Sequence, residues 1–186
     1  MGRPPQDKSI PSKESPMIAR RVSLAAVLFA FAAVGPIAHA DDKDKIPPDK
    51  IPQKVLDSLK AKFPKAEIQK CTKEKEDGAI VFDIEFTENG RKCEADIKED
   101  GTMVNYEKEV AVKDLPKKVI EAVEKKYPKA TLKECMECTE IKGKEEKLEG
   151  YEINLVTADK KEIEVTVSPE GKILEDSSEK KEKKEK

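Results

Sequence analysis

The chain has 186 residues, of which 41% are charged and only 4% aromatic, with 37 basic and 39 acidic side chains and a formal net charge of −2. Lysines are interleaved with glutamates along most of its length, so no basic stripe is left for nucleic acid. Tryptophan is absent and the single histidine is His39, in a segment expected to be cleaved. Imidazole bases, Ser-His-Asp and Cys-His catalysis and histidine-liganded zinc are therefore excluded together, as is the usual tryptophan anchor of a sugar site.

Arg20-Arg21 precedes an apolar run from Val22 to Ile37, and Ala38-His39-Ala40 follows. A basic start, an apolar stretch and an Ala-x-Ala site make a secretory signal, with cleavage expected between Ala40 and Asp41. The apolar run is broken by Gly35-Pro36 and is shorter than the roughly 20 apolar residues of a membrane span. Residues 1–40 thus read as a signal peptide, with Met17 as an alternative start, and the protein as periplasmic or extracellular without stable membrane insertion. The remaining chain carries 32 basic and 37 acidic groups, enough length for one ordinary core or two small cores sharing a sheet.

Residues 41–50 read as a linker. From Ile51 to Ala66 runs a segment that returns from Leu115 to Ala130, 64 residues later, and the similarity continues beyond it. Such self-similarity is the mark of an internal repeat, with boundaries near 51–113 and 114–177. Pro52 and Pro116 suit the first turn of a helix, where a missing N–H costs nothing. Val55, Leu56, Leu59 and Phe63, and again Val119, Ile120, Val123 and Tyr127, form one apolar helical face. Pro64 and Pro128 then stop each helix, because the residue before a proline is pushed out of the helical region.

After each helix the period changes to two. A short strand is expected over Glu67–Thr72. Phe82, Ile84 and Phe86 then alternate with polar neighbours, Asn89-Gly90 supplies a hairpin turn, and Cys93, Ala95 and Ile97 alternate in turn. Glu99-Asp100-Gly101 turns the chain into Met103–Tyr106. The second copy has a short strand over Thr131–Glu134, then Tyr151, Ile153 and Leu155, a turn at Ala158-Asp159-Lys160, then Ile163, Val165 and Val167, and a turn at Pro169-Glu170-Gly171 before Lys172–Leu174. The fold class is α+β, a tandem repeat in which each copy packs one amphipathic helix on a four-stranded antiparallel meander. Placed edge to edge, the copies would extend the sheet and merge their cores. The Lys/Glu run of 178–186 has nothing apolar to bury and reads as a disordered tail.

The order Leu/Ile-Pro, helix, Tyr/Phe-Pro-Lys-Ala, strand, Gly150-Tyr151-Glu152-Ile153, hairpin, Pro169-Glu170-Gly171-Lys172-Ile173-Leu174 resembles the PepSY-like family of bacterial envelope proteins, also described as beta-lactamase-inhibitor-like. The resemblance covers roughly residues 46–176; the first copy departs from it at Ala79-Ile80-Val81-Phe82, where an aromatic after glycine is expected. It implies a helix-plus-sheet repeat and a binding or inhibitory role outside the cytoplasm. It carries over no catalytic residues.

With the apolar positions turned to the helices, the alternate positions place Asp83, Glu85, Glu94 and Asp96 from the first copy, and Glu152, Glu162 and Glu164 from the second, on the other face of the sheet. Such a face suits plain contact with water; it also suits capture of a basic protein segment or of cations such as calcium. Cys71, Cys93, Cys135 and Cys138 would meet an oxidising compartment, where disulfides are the default. In extended strands Cys135 and Cys138 would sit about 10 Å apart, and Cys71 and Cys93 about 9.5 Å, too far for a bridge without local distortion. Core packing is the other reading for Cys71 and Cys135, which are equivalent positions of the duplication. The expected function is a non-enzymatic envelope binding protein, in one form an inhibitor of a hydrolase, with a calcium-binding or buffering protein as the alternative. Neither a cofactor nor a dedicated metal site is expected, and the oligomeric state stays open.

Overall fold

The computed structural model describes residues 45–76 and 78–178. The expected signal sequence, its Ala40–Asp41 junction and the tail beyond Ser178 lie outside the described residues. No described helix is long and apolar enough to cross a membrane.

Two helices of ten residues, α1 (Gln53–Lys62) and α2 (Lys117–Lys126), occupy the positions set by the apolar spacing. Each is anchored by an i, i+4 pair, Val55 with Leu59 and Val119 with Val123, all four side chains being essentially inaccessible. Burying each such side chain stabilises the fold by roughly 1.5–3 kcal/mol. Pro52 and Pro116 stand one residue before the first helical turn rather than inside it, with φ −57° and ψ 139° at both. The exits match as well: Phe63 and Tyr127 leave the helical region at φ −126° and −124°, as residues before a proline must. Lys60, Lys62, Lys125 and Lys126 fill the last turns, where cations complement the helix dipole.

Eight antiparallel strands follow in chain order: β1 (Glu67–Glu76), β2 (Ala79–Glu88), β3 (Arg91–Lys98), β4 (Met103–Glu109), β5 (Thr131–Lys142), β6 (Glu145–Val156), β7 (Glu162–Val167) and β8 (Ile173–Asp176). Every strand pairs with its neighbours in sequence, so the sheet is one continuous eight-stranded meander. The four-stranded meander expected for each copy is therefore not a sheet of its own but half of this one, which is extended as edge-to-edge placement of the copies requires. The joint is the β4–β5 ladder, from Asn105 opposite Glu140 to Glu109 opposite Met136, with α2 inserted in the connection between its two strands. Pairing there hides an edge of each half that would otherwise present unpaired N–H and C=O groups.

β1 and β5 extend well past the short strands expected from the sequence. Lys73, Glu74 and Lys75 continue β1 because Phe82, Val81 and Ile80 lie opposite them; their charge does not disqualify them at a sheet edge. The expected linker is partly structured, with Lys45 bridging Thr72 and a short 3-10 turn over Pro48–Lys50.

Two apolar clusters lie between the helices and the sheet. Val55, Leu59 and Phe63 of the first half pack with Phe82, Ile84, Phe86, Cys93, Ala95, Ile97 and Tyr106. In the second, Val119 and Val123 meet Cys135, Tyr151, Ile153, Leu155, Val165 and Val167. Phe63 binds the first cluster through a tilted contact with Phe86, centroids 4.9 Å apart, and an edge contact with Tyr106 at 5.5 Å. Ile141 of β5 also packs against the first cluster. The β5–β6 hairpin tip reaches the same place: Tyr106 Oη donates to Glu146 Oε2 at 2.9 Å, and Lys62 pairs with the same carboxylate.

Candidate functional site

The Asn89-Gly90 turn, with both residues at positive φ (54° and 77°), is the two-residue type that matches strand twist. It fixes the β2–β3 register, and that register sets like charges against each other. Asp83 lies opposite Asp96, and Glu85 opposite Glu94. The β3–β4 ladder adds Glu107 opposite Glu94 and Asn105 opposite Asp96. All of these positions face away from the helices, since Ile84, Ala95 and Tyr106 between them point into the first cluster. Directly opposed carboxylates destabilise a sheet, and here they form an unbroken ladder over three strands.

Two lysines offset part of the charge. Lys70 of β1 reaches Glu85 at 2.6 Å, and Lys92 of β3 reaches Glu134 of β5 at 2.9 Å and Glu94 at 3.2 Å. Burial opposes the charge on both lysines, but the carboxylate contacts outweigh it and hold each pKa above its ordinary value. Glu94 is raised, mainly by burial, with Lys92 opposing. Burial pushes Asp83 up to about 7, helped by Asp96, Glu94 and Glu85 and opposed by Lys70.

Of the seven acids singled out in the sequence, four form this ladder. The other three lie on β6 and β7, where no carboxylate faces another: Glu152 is opposite Met136 and Thr166, Glu164 opposite Asn154, and Glu162 opposite Val156. Between the groups stand Cys138 and Gly150, which lie opposite Glu107 and opposite each other respectively. The acidic platform is thus concentrated on β2–β4 instead of spanning the sheet. Glu107 and Glu134 belong to it and were not singled out. Glu107 falls one residue after Tyr106, where the strand was expected to end, and Glu134 comes from the other half of the chain.

All four cysteines are buried and none of them forms a disulfide. Cys71 belongs to the first cluster and Cys135 to the second, as the core-packing reading expects, and Cys93 joins Cys71 in the first. Cys138, three positions after Cys135, faces the opposite side of the sheet, so the two cannot bridge directly. Burial, with help from nearby acids, pushes Cys71 and Cys135 up to about 11 and raises Cys93. These three thiols are protonated at neutral pH and poor nucleophiles. Among the described residues no group of three or more histidine, cysteine, aspartate or glutamate side chains is arranged to hold a metal ion.

The fold is found in solved bacterial proteins. A BLIP-like protein of Bacteroides fragilis superposes with a TM-score of 0.50 at 19% identity, covering 74% of this chain and 90% of the other. A candidate periplasmic protein of Bacteroides eggerthii gives 0.54 at 15% identity, covering 68% and 87%. A DUF2874 family protein of Bacteroides uniformis gives 0.52 at 15% identity, covering 67% and 87%. No curated protein matches the chain. The family model described as beta-lactamase-inhibitor-like, PepSY-like matches residues 39–104 and 81–175, which together take in most of the chain and all but the last residue of the sheet. The protein is a member of this beta-lactamase-inhibitor-like, PepSY-like family.

Proposed function

We propose that this is an exported, non-enzymatic protein of the bacterial envelope that holds a basic segment of a partner protein against the carboxylate ladder of β2–β4. The observation that carries the reading is the run of directly opposed acids, Asp83 with Asp96, Glu85 with Glu94 and Glu94 with Glu107. An arrangement that costs stability in the free protein is relieved when a cationic surface covers it. Export is supported by Arg20-Arg21, the apolar run and Ala38-His39-Ala40, and by likeness in fold to a candidate periplasmic protein. The lack of any histidine but His39 supports a binding role over catalysis. The family description supports an enzyme as the partner, and the two helix-plus-meander halves are read as duplicated copies.

A lysine-rich peptide titrated into the protein while backbone amide shifts are followed tests this. The largest changes are expected over 83–96 and 105–107, weakening as salt is raised. Shifts spread evenly over the surface, or confined to β6–β8, would contradict it. Calcium competes for the same carboxylates; saturable changes with calcium chloride and none with the peptide would assign the face to cations instead.

A further inference from the structure

Within the ladder Glu85 and Glu94 have lysine partners at ion-pair distance, whereas Lys70 acts on Asp83 only from further off. Lys70 takes Glu85, and Lys92 takes Glu94 and Glu134. Among the described residues Asp83 has no ion pair, and its carboxylate accepts a hydrogen bond of 3.4 Å from the Thr72 hydroxyl. Asp96, opposite it, accepts a firmer one of 2.8 Å from the Asn105 amide. On this side of the sheet Asp83 is faced by Lys70, Thr72 and Glu74 from β1, by Glu85 along β2, and by Glu94, Asp96 and Lys98 from β3. Acids outnumber bases in that set, and both lysines near the acids are engaged elsewhere or lie at its rim. Two carboxylates at opposed positions resist double ionisation, so the pair holds a proton at a pH where a lone carboxylate has lost it.

We propose that Asp83 and Asp96 form a proton-operated switch in the sheet: Asp83 is neutral and β2 and β3 sit relaxed on the acid side of neutrality, while ionisation sets the two strands repelling on the alkaline side. The burial that lifts Asp83 to about 7 places the change in the neutral range. The folded chain then holds a proton that the unfolded chain has released above its ordinary value of about 3.9. The stability this group contributes is complete below about pH 4, is lost as pH rises towards 7, and is flat above. If the proposed binding face is correct, a cationic segment expels this proton, so its affinity climbs by up to about tenfold per pH unit until neutrality. That corollary rests on the binding reading, whereas the switch does not.

Carboxyl-carbon NMR of Asp83 in the full chain, followed from pH 3 to pH 9, tests the switch. The expected midpoint is near 7, dropping by a pH unit or more in Asp96→Asn, and the fall in denaturation midpoint between pH 5 and pH 7 should vanish in Asp83→Asn. A wild-type midpoint near 4, or one that Asp96→Asn leaves in place, overturns the proposal. Should Asp96→Asn fail to fold, Glu94→Gln and Glu85→Gln replace it. Each must lower the Asp83 midpoint, and no change in either overturns the proposal equally. A protein that binds no cationic peptide yet shows the neutral midpoint refutes the binding reading alone.

Discussion

Asp176 shows how a single side chain closes the second half. Its carboxylate is almost wholly enclosed, accepts hydrogen bonds from Tyr127 Oη at 2.5 Å and the Ser178 amide at 2.9 Å, and pairs with Lys126 at 2.7 Å. Burial works against its charge, but these donors prevail and hold its pKa below the ordinary value. A carboxylate with a depressed folded pKa contributes stability that is present above its unfolded value, about 3.9, and is lost as pH falls through the folded one. Asp176→Ala should therefore cost about 2 kcal/mol at pH 7, and less at pH 3. Urea denaturation at the two pH values checks this; an equal loss at both would show that packing, and not charge, is what Asp176 supplies. Asp83 has the opposite sign, so the two aspartates pull the pH dependence of stability in opposite directions.

At the scale of elements, the two halves share a contact that only glycine permits. Gly101 and Gly171, at φ 90° and 86°, sit where an added Cβ would lie 2.9 Å from the Lys54 carbonyl oxygen and 2.6 Å from that of Lys118. The β3–β4 and β7–β8 turns are thus pressed against the first turns of α1 and α2. Gly143, at φ 65° in the β5–β6 turn, has nothing within 4 Å. Gly171→Ala should accordingly lose about 3 kcal/mol, from strain plus collision with backbone, and Gly143→Ala about 1 kcal/mol from strain alone. Equal losses in chemical denaturation would remove the contact from the explanation.

The helices and hairpins were legible because their signals are local. Proline at both ends bounds each helix, Val55 with Leu59 and Val119 with Val123 mark the buried face, and Asn89-Gly90 fixes a two-residue hairpin. Counting back from that turn places Asp83 against Asp96 and Glu85 against Glu94, so half of the ladder could be read from the chain alone. The other half could not. A bulge between Asp96 and Ile97 shifts the β3–β4 register, and only with it does Glu107 meet Glu94. The full lengths of β1 and β5 were hidden because Lys73–Glu76 and Met136–Lys142 have no clean alternation, and their pairing partners decide their state. The place of Cys138 on the face away from the helices follows from strand parity once Cys135 is set in the core.

For the molecule as a whole, the β4–β5 seam decides whether the chain behaves as one body or two. It is reinforced by Lys92 reaching from β3 to Glu134 on β5, by Tyr106 and Lys62 on Glu146, and by Ile141 against the first cluster. Links of this kind couple the cores, so unfolding of residues 45–178 should be a single transition. Leu59→Ala and Val123→Ala, in different cores, should each lower its one midpoint; Leu59→Ala should cost about 3 kcal/mol. Two separable transitions, each answering to one substitution, would show that the halves fold independently.

The same seam leaves the carboxylate ladder on a rigid support, presented by strands whose register cannot slip without turning the first core outwards. Recognition through it should depend on charge and not on fold stability. The most direct measurement is recovery of partner protein from an envelope extract, at low and high salt, by the wild type and by a Glu85→Gln, Glu94→Gln, Asp96→Asn variant whose thermal midpoint is unchanged or raised. The proposed role predicts a defined partner recovered by the wild type at low salt, reduced at least tenfold by the variant and by high salt. Undiminished recovery of that partner by the folded variant would contradict it.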